Sequence, residues 1–304
     1  MTVLDWGIAA FVLALALWGF REGAIVGTLI TLVTVAFVWA FGVAALHAPG
    51  TAELRRDVRD SLILSNLTEV LPPSEAVIRA LRRIDTVPEI AGSPAPVAPP
   101  DPAIASDPDV ARAGDSVVRV YGTACGLGVE GSGWAIGPDL IVTNAHVVAG
   151  EDDTTVTTQD GASLDATAVH YDPRNDLALL RVAADIPALP FAPDPEYGTA
   201  GAVLGYPQNG PYAVAPARFG DTRKAISEDS YGRGPLRRTI ASLRGLVRSG
   251  NSGSPLVDPR GRVMGTVFAT TTSGPPGGFA IPNALVKSAL RETATPVDTG
   301  LCAG

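Results

Sequence analysis

A chain of 304 residues can hold one large domain or two modest ones, and a net charge of −8 argues against a nucleic-acid partner, which a basic patch usually marks. The two cysteines, Cys125 and Cys302, have no Cys or His near them at metal-ligand spacing, which argues against zinc. Hydrophobic residues make up 46% of the chain, and the excess sits at one end.

That end is N-terminal. Asp5 is the one charged residue between Val3 and Phe20, and none occurs between Gly23 and Leu46. As helices these runs would be about 27 Å and about 36 Å long, against a hydrocarbon core of about 30 Å. A cleaved signal peptide opens with a basic region, whereas this chain opens MTVLDWG. Residues 1–48 are therefore expected to form a transmembrane helical hairpin that contacts lipid through both helices. Trp6, Trp18 and Trp39 suit its interfaces. Charge alone gives an awkward topology. Arg55, Arg56 and Arg59 follow the second helix and only Arg21 lies in the connection, which by the positive-inside rule places the C-terminal bulk in the cytoplasm.

Residues 49–90 are expected to be amphipathic and helical, with Val77, Ile78, Leu81 and Ile84 set against Arg79, Arg82 and Arg83; Pro72 and Pro73 divide the stretch. Residues 91–110, AGSPAPVAPPDPAIASDPDV, read as an extended, protease-sensitive spacer without helix or inner strand. From residue 111 to 304 short β-rich runs alternate with Gly, Asp and Pro, the pattern of an all-β sandwich or barrel. A single helix is expected at the end, Asn283 to Thr293, with Leu285, Val286 and Leu290 on one side. Cys125 and Cys302 read either as two buried thiols or as a disulfide, the latter requiring an oxidising compartment.

Within the β-rich part, RSGNSGSP at 248–255 brackets Ser252 with Gly250 and Gly253. It is either an ordinary turn or a nucleophile whose hydroxyl and neighbouring amides face a substrate carbonyl. A serine nucleophile needs a base. His47 ends the second apolar run and His170 lies in ATAVHYDP, whereas His146 lies where the apolar strand of IVTNAHVVAG breaks into a turn. The base in turn needs a carboxylate. Asp176, immediately before the apolar run LALL, is costly to bury without a partner, while Asp172 reads as a turn residue.

TNAHVV, NDLALL and GNSGSP, in that order, resemble the His, Asp and Ser motifs of the chymotrypsin-like (trypsin-like) serine proteases. GSGWAIGPDLIVTNAHVV and GGFAIP resemble HtrA-type strands. WGFREG between the apolar runs, the Pro/Ala spacer and the terminal TGLCAG resemble the membrane-anchored MarP-type proteases of actinobacteria, whose first part is similar to colicin-V-production proteins. That family usually carries four membrane helices, and this sequence shows two. The resemblance implies two six-stranded antiparallel β-barrels with a C-terminal helix, a Cys125–Cys302 disulfide and a protease domain outside the cytoplasm, in the periplasm. On topology it outweighs the arginine count. It implies His146, Asp176 and Ser252 as the catalytic triad, the amides of Gly250 and Ser252 as the oxyanion hole, and Leu246, Phe268 and Ala269 along the substrate path. No metal or other cofactor is implied.

Two departures from the family pattern stand out. Asn251 replaces the aspartate that trypsin-type enzymes pair with a released N-terminal ammonium, and Ser254 stands where most relatives have glycine. No acid is expected at the pocket base, so a preference for Arg or Lys is not expected. The function so implied is a membrane-anchored serine endopeptidase acting on protein or peptide substrates of the cell envelope in a stress response. The alternative from another class is a catalytically idle protease-fold module that binds envelope proteins or peptides. A channel built by the hairpin has only Asp5 to support it.

Overall fold

The computed structural model describes residues 88–90, 96–125, 127–292 and 295–303. The expected membrane hairpin at 1–48 and nearly all of the expected helical segment at 49–90 lie outside the described residues.

Alternating apolar and polar residues give the first barrel its walls. In β2 (Val117–Ala124), Val118, Val120, Gly122 and Ala124 are buried, while Arg119, Tyr121 and Thr123 are only partly covered. With β3 (Leu127–Gly137), β4 (Leu140–Thr143), β5 (Thr155–Thr157), β6 (Ser163–Asp172) and β7 (Leu177–Val182) it closes a barrel in the order β2-β3-β4-β7-β6-β5. Val118, Val120, Ile141, Val147, Val156 and Leu180 fill its interior.

The second sheet contains β8 (Ala200–Gly205), β9 (Ala213–Ser227), β10 (Leu236–Gly245), β11 (Pro255–Val257), β12 (Val263–Thr271) and β13 (Gly277–Pro282). They run in the order β12-β11-β8-β9-β10-β13, and β12 also pairs with β13, which joins the two ends of the run. Apart from the two-residue β1 (Glu89–Ile90), which adds parallel to β12, all the pairings are antiparallel. The chain thus has the chymotrypsin-like all-β fold. Trp134 and Phe191 meet edge to face at 5.9 Å within a core shared by residues of both sheets.

The Pro-rich spacer corrects the sequence reading. Pro102–Ser106 is a 3-10 helix and α1 (Pro108–Ala113) an α-helix, and Val97, Ile104 and Val110 are buried. Each helix begins with its proline at the first position, where no intrahelical N–H is needed, and Asp101 and Asp107 cap them. Proline density thus reports here on helix starts rather than on a free spacer. Farther back, β1 is held by the amides of Thr270 and Thr272, which donate to Pro88 O and Ile90 O at 3.0 and 3.4 Å. The terminal helix α3 (Asn283–Ala289) is shorter than expected, and Leu290 caps it.

Cys125 and Cys302 form a disulfide, with Cα atoms 6.1 Å apart across 177 residues of sequence. The C-terminal strap also bonds to the first barrel, through Val297 N–H to Ala168 O at 2.9 Å and Gly150 N–H to Thr299 O at 3.2 Å.

Beneath the strap lies Glu151, a buried acid that no motif marks. Thr154 Oγ1 donates to its Oε2 at 2.7 Å, and Thr299 Oγ1 donates to its backbone carbonyl at 3.3 Å. Burial raises its pKa from the ordinary 4.5 to about 8, with neighbouring Asp153 adding to the shift and the Thr154 bond opposing it. The folded chain therefore keeps this proton up to about pH 8, while the unfolded chain releases it near 4.5. The native state binds more protons over that interval, so stability falls as pH rises through it and levels off above. Glu151→Gln is expected to remove this slope and to leave the variant several kcal/mol more stable than the parent at pH 8. Urea unfolding at a series of pH values checks it.

Candidate active site

Strand register brings the first two candidates together. Thr143 at the end of β4 pairs with Ala178 near the start of β7. His146 follows Thr143 by three residues on the short helix α2 (Ala145–Val148), and Asp176 precedes Ala178 by two. His146 Nδ1 lies 2.7 Å from Asp176 Oδ2 and 2.9 Å from Oδ1, and the His146 backbone N–H donates to Oδ1 at 2.9 Å. Both side chains are buried. A carboxylate facing Nδ1 requires the proton there, which leaves Nε2 as the acceptor.

Asp176 holds a left-handed backbone angle, φ 60°, where a side chain other than glycine's is strained by about 1–3 kcal/mol. The surroundings enforce it. Asn144 Nδ2 donates to the Asp176 carbonyl at 2.9 Å, so the residue two before the histidine clamps the turn that carries the acid. Asn144 stood unassigned within TNAHVV. Asp172 accepts the amides of Arg174 and Asn175, each at 3.0 Å, as a turn-capping residue does.

Ser252 comes from the loop between β10 and β11. Its carbonyl accepts Ser132 N–H from β3 at 2.7 Å, which ties the loop to the first barrel. A Cβ placed on Gly131 would lie 2.7 Å from Val147 Cγ2 and 3.0 Å from Ser252 O. Serine and histidine segments thus flank one glycine. His146 Nε2 and Ser252 Oγ are both buried, and neither has a hydrogen-bond partner among the described residues.

The loop around Ser252 has a defined amide pattern. The N–H groups of Asn251, Gly253 and Ser254 donate to Arg248 O, Val267 O and Asn251 O at 3.0, 2.8 and 3.0 Å. Those of Gly250 and Ser252 donate to nothing among the described residues. Gly250 has φ 80°, and a Cβ there would overlap the Tyr206 carbonyl oxygen. Ser132, missed in the sequence reading, anchors the loop by donating its hydroxyl to Gly250 O at 2.7 Å while accepting Tyr206 N–H at 3.0 Å. Gly250→Ala is expected to displace this loop and lower kcat/KM at least a hundredfold without unfolding the protein. Peptide hydrolysis and circular dichroism together check this.

Both departures from the family pattern have local explanations. Asn251 turns its side chain to its own loop, accepting Arg248 N–H on Oδ1 at 3.0 Å. Ser254 fits because Gly205 faces it; a Cβ on Gly205 would collide with the Ser254 hydroxyl. The expected substrate path divides. Leu246 is exposed and lines a cleft of about 240 Å³ with Val247 and the 270–277 loop, a lining without a charged side chain. Phe268 and Ala269 are fully buried, so their side chains belong to the core, and any contact with substrate runs through their backbone. Phe268 lies at the bulge between β12 and β13, without a partner in the register.

A family described as "Trypsin-like peptidase domain" matches residues 131–265, which span the His146, Asp176 and Ser252 segments. Serine protease Rv3671c of Mycobacterium tuberculosis (strain ATCC 25618 / H37Rv) is 34% identical over 298 residues, covering 92% of this chain and 74% of that protein. The chain is a trypsin-like serine protease. The crystal structure of the active form of the Rv3671c protease superposes on this protease with a TM-score of 0.67 at 38% identity, covering 70% of this chain and 96% of that one. A protein of Brucella suis biovar 1 (strain 1330) named "Probable periplasmic serine endoprotease DegP-like" is 33% identical over 170 residues, 53% of this protease and 32% of its own length.

Proposed function

We propose that this protease is a membrane-anchored, extracytoplasmic endopeptidase that acts through His146, Asp176 and Ser252 on cell-envelope proteins in a stress response. One observation carries the reading. The imidazole of His146 is held by Asp176 on Nδ1, and its backbone N–H donates to the same carboxylate, while Nε2 is buried without a hydrogen-bond partner among the described residues.

In the acylation step His146 Nε2 takes the proton of Ser252 Oγ, and the oxygen attacks the scissile carbonyl carbon. The carbonyl electron pair moves onto oxygen, where the N–H groups of Gly250 and Ser252 stabilise it. Collapse expels the amine, which takes the proton from His146, and leaves an ester on Ser252. Water, deprotonated by His146, then attacks the ester carbonyl; the bond to Ser252 Oγ breaks, Oγ takes the proton back from His146, and the acid is released. Throughout, Asp176 holds the imidazole tautomer and stabilises the imidazolium.

An extracytoplasmic location is supported by the disulfide, which persists in oxidising compartments, and by the apolar runs at 3–20 and 23–46. The uncharged cleft lining supports cleavage after residues other than Arg or Lys. The idle-module alternative draws on the missing Nε2–Oγ bond. Fluorophosphonate labelling of membranes containing the full chain separates the two. Labelling in the wild type and its loss in Ser252→Ala supports the enzyme; an unlabelled, folded, oxidised wild type supports the binder. Protease accessibility in intact spheroplasts tests the topology.

A further inference from the structure

Strand β12 changes partners along one edge as it leaves the site. Its other edge pairs with β13 from Gly265 to Thr270. Opposite β13, the strand first pairs with β11 from Val263 to Thr266. At Val267 the serine loop takes over: Gly253 N–H donates to Val267 O, and Val267 N–H donates to Ser254 O, each at 2.8 Å. Farther along the same edge lies β1, with Glu89 opposite Thr270 and Ile90 opposite Thr271. Three residues of strand separate the two attachments, about 10 Å.

A polypeptide bound for cleavage at Ser252 extends beyond its scissile bond, and an extended chain beside an open strand edge adds to it as a further strand. The open edge that leads away from the serine loop is that of residues 268–272, where Phe268 and Ala269 offer backbone alone. About three residues of substrate would reach Thr270. There the amides of Thr270 and Thr272 already donate to Pro88 O and Ile90 O, at 3.0 and 3.4 Å. Thr270, Thr271 and Thr272 also line the cleft beside Leu246, so the seat of β1 and the wall of the cleft are the same residues. One amide cannot serve both chains.

We propose that β1 is a built-in competitor for the substrate strand, which an extended peptide must displace from Thr270–Thr272 to bind fully. The proposal rests on the reading of Ser252 as the nucleophile. β1 runs parallel to β12, so Pro88 is its end nearer Ser252, and all three residues lie too far along the strand for attack. The hold is modest: two hydrogen bonds from β12 amides, and Ile90 packed against the core shared by the two sheets. It is reinforced by a short tether. Arg244 Nη1 donates to Val97 O at 2.6 Å and Arg218 Nε to Pro99 O at 3.2 Å, so only six residues separate Ile90 from a fixed point on the second sheet. Such a tether keeps the local concentration of β1 high. Competition of this kind weakens the binding of long substrates and leaves the chemical step untouched.

Hydrogen exchange on the full-length protein tests this directly. Active sites are first titrated with a simple alkyl fluorophosphonate; absence of labelling would mean that the catalytic reading itself has failed. In the labelled enzyme β1 should keep its protection. A peptidyl phosphonate carrying four residues ahead of the reactive phosphorus should strip protection from residues 88–90 while Thr270 and Thr272 stay protected. Kinetics give the second measurement. Ile90→Gly and Ile90→Pro should lower KM about threefold or more for a peptide with four residues before the scissile bond, with kcat unchanged. A single-residue ester, too short to reach Thr270, should show no change, and Ile90→Val should behave as wild type. Protection of 88–90 that survives the peptidyl phosphonate would overturn the proposal. So would an unchanged KM for the long peptide, or equal changes for long and short substrates, which would mark β1 as structural only.

Discussion

Ser252→Ala is expected to abolish fluorophosphonate labelling and to lower kcat/KM on a peptide substrate by about six orders of magnitude. Asp176→Asn is expected to cost about four, because an amide can present its NH2 group to Nδ1 and stabilise the wrong imidazole tautomer. The double variant should be hardly worse than Ser252→Ala alone, since the two residues serve one proton transfer. That non-additivity is the sharper test. If the losses multiplied, Asp176 would be acting on something other than the serine's proton, and the assignment of the triad would fail. Both variants should fold: Ser252 Oγ has no hydrogen-bond partner among the described residues, and Asn can keep its acceptor oxygen on the His146 backbone N–H.

Replacing both Cys125 and Cys302 by serine is expected to give the largest loss of stability of any conservative change. The disulfide closes a loop of 177 residues, which the chain-entropy model converts to about 5 kcal/mol at 25 °C. For a domain of this size that corresponds to a fall in Tm of about 10–20 °C, measurable by calorimetry without reductant. The remaining ties of the strap among the described residues are a handful of hydrogen bonds. Val297 N–H donates to Ala168 O at 2.9 Å, Thr299 accepts Gly150 N–H at 3.2 Å and a Tyr231 hydroxyl at 3.3 Å and donates to Glu151 O at 3.3 Å, and Leu301 is 69% exposed. An unchanged Tm would mean that these contacts alone hold the strap, and that the unfolded chain gains little freedom without the bridge.

Much of the site was legible in the sequence because its demands are local. A nucleophile on a tight bend needs glycines on either side, so Gly250 and Gly253 mark Ser252, and both adopt positive φ. An acid ahead of an apolar strand must find a partner, and Asp176 finds His146. Short β-rich runs set between Gly, Asp and Pro marked the strands, since turn formers end a strand wherever the chain reverses. The Pro-rich stretch was misread for a related reason: proline limits what precedes it and fixes its own φ, but local rules do not say whether Val97, Ile104 and Val110 have a surface to bury against.

The long-range partners lay beyond such reasoning. Asn144 on the Asp176 carbonyl and Gly205 opposite Ser254 meet only when strands distant in the chain pair, and Ser132 reaches Gly250 and Tyr206 only when the two sheets come together. Phe268, expected along the substrate strand, has its ring buried under the Arg238 guanidinium, which leaves only its backbone to face a substrate. By itself the sequence determined the periodicity, the chemistry of each motif and their order along the chain, because these depend on neighbours a few residues apart. The tertiary structure alone decided which buried polar atoms are paired, which stay open and which charges share a low-dielectric space, because those properties belong to contacts between residues distant in the chain.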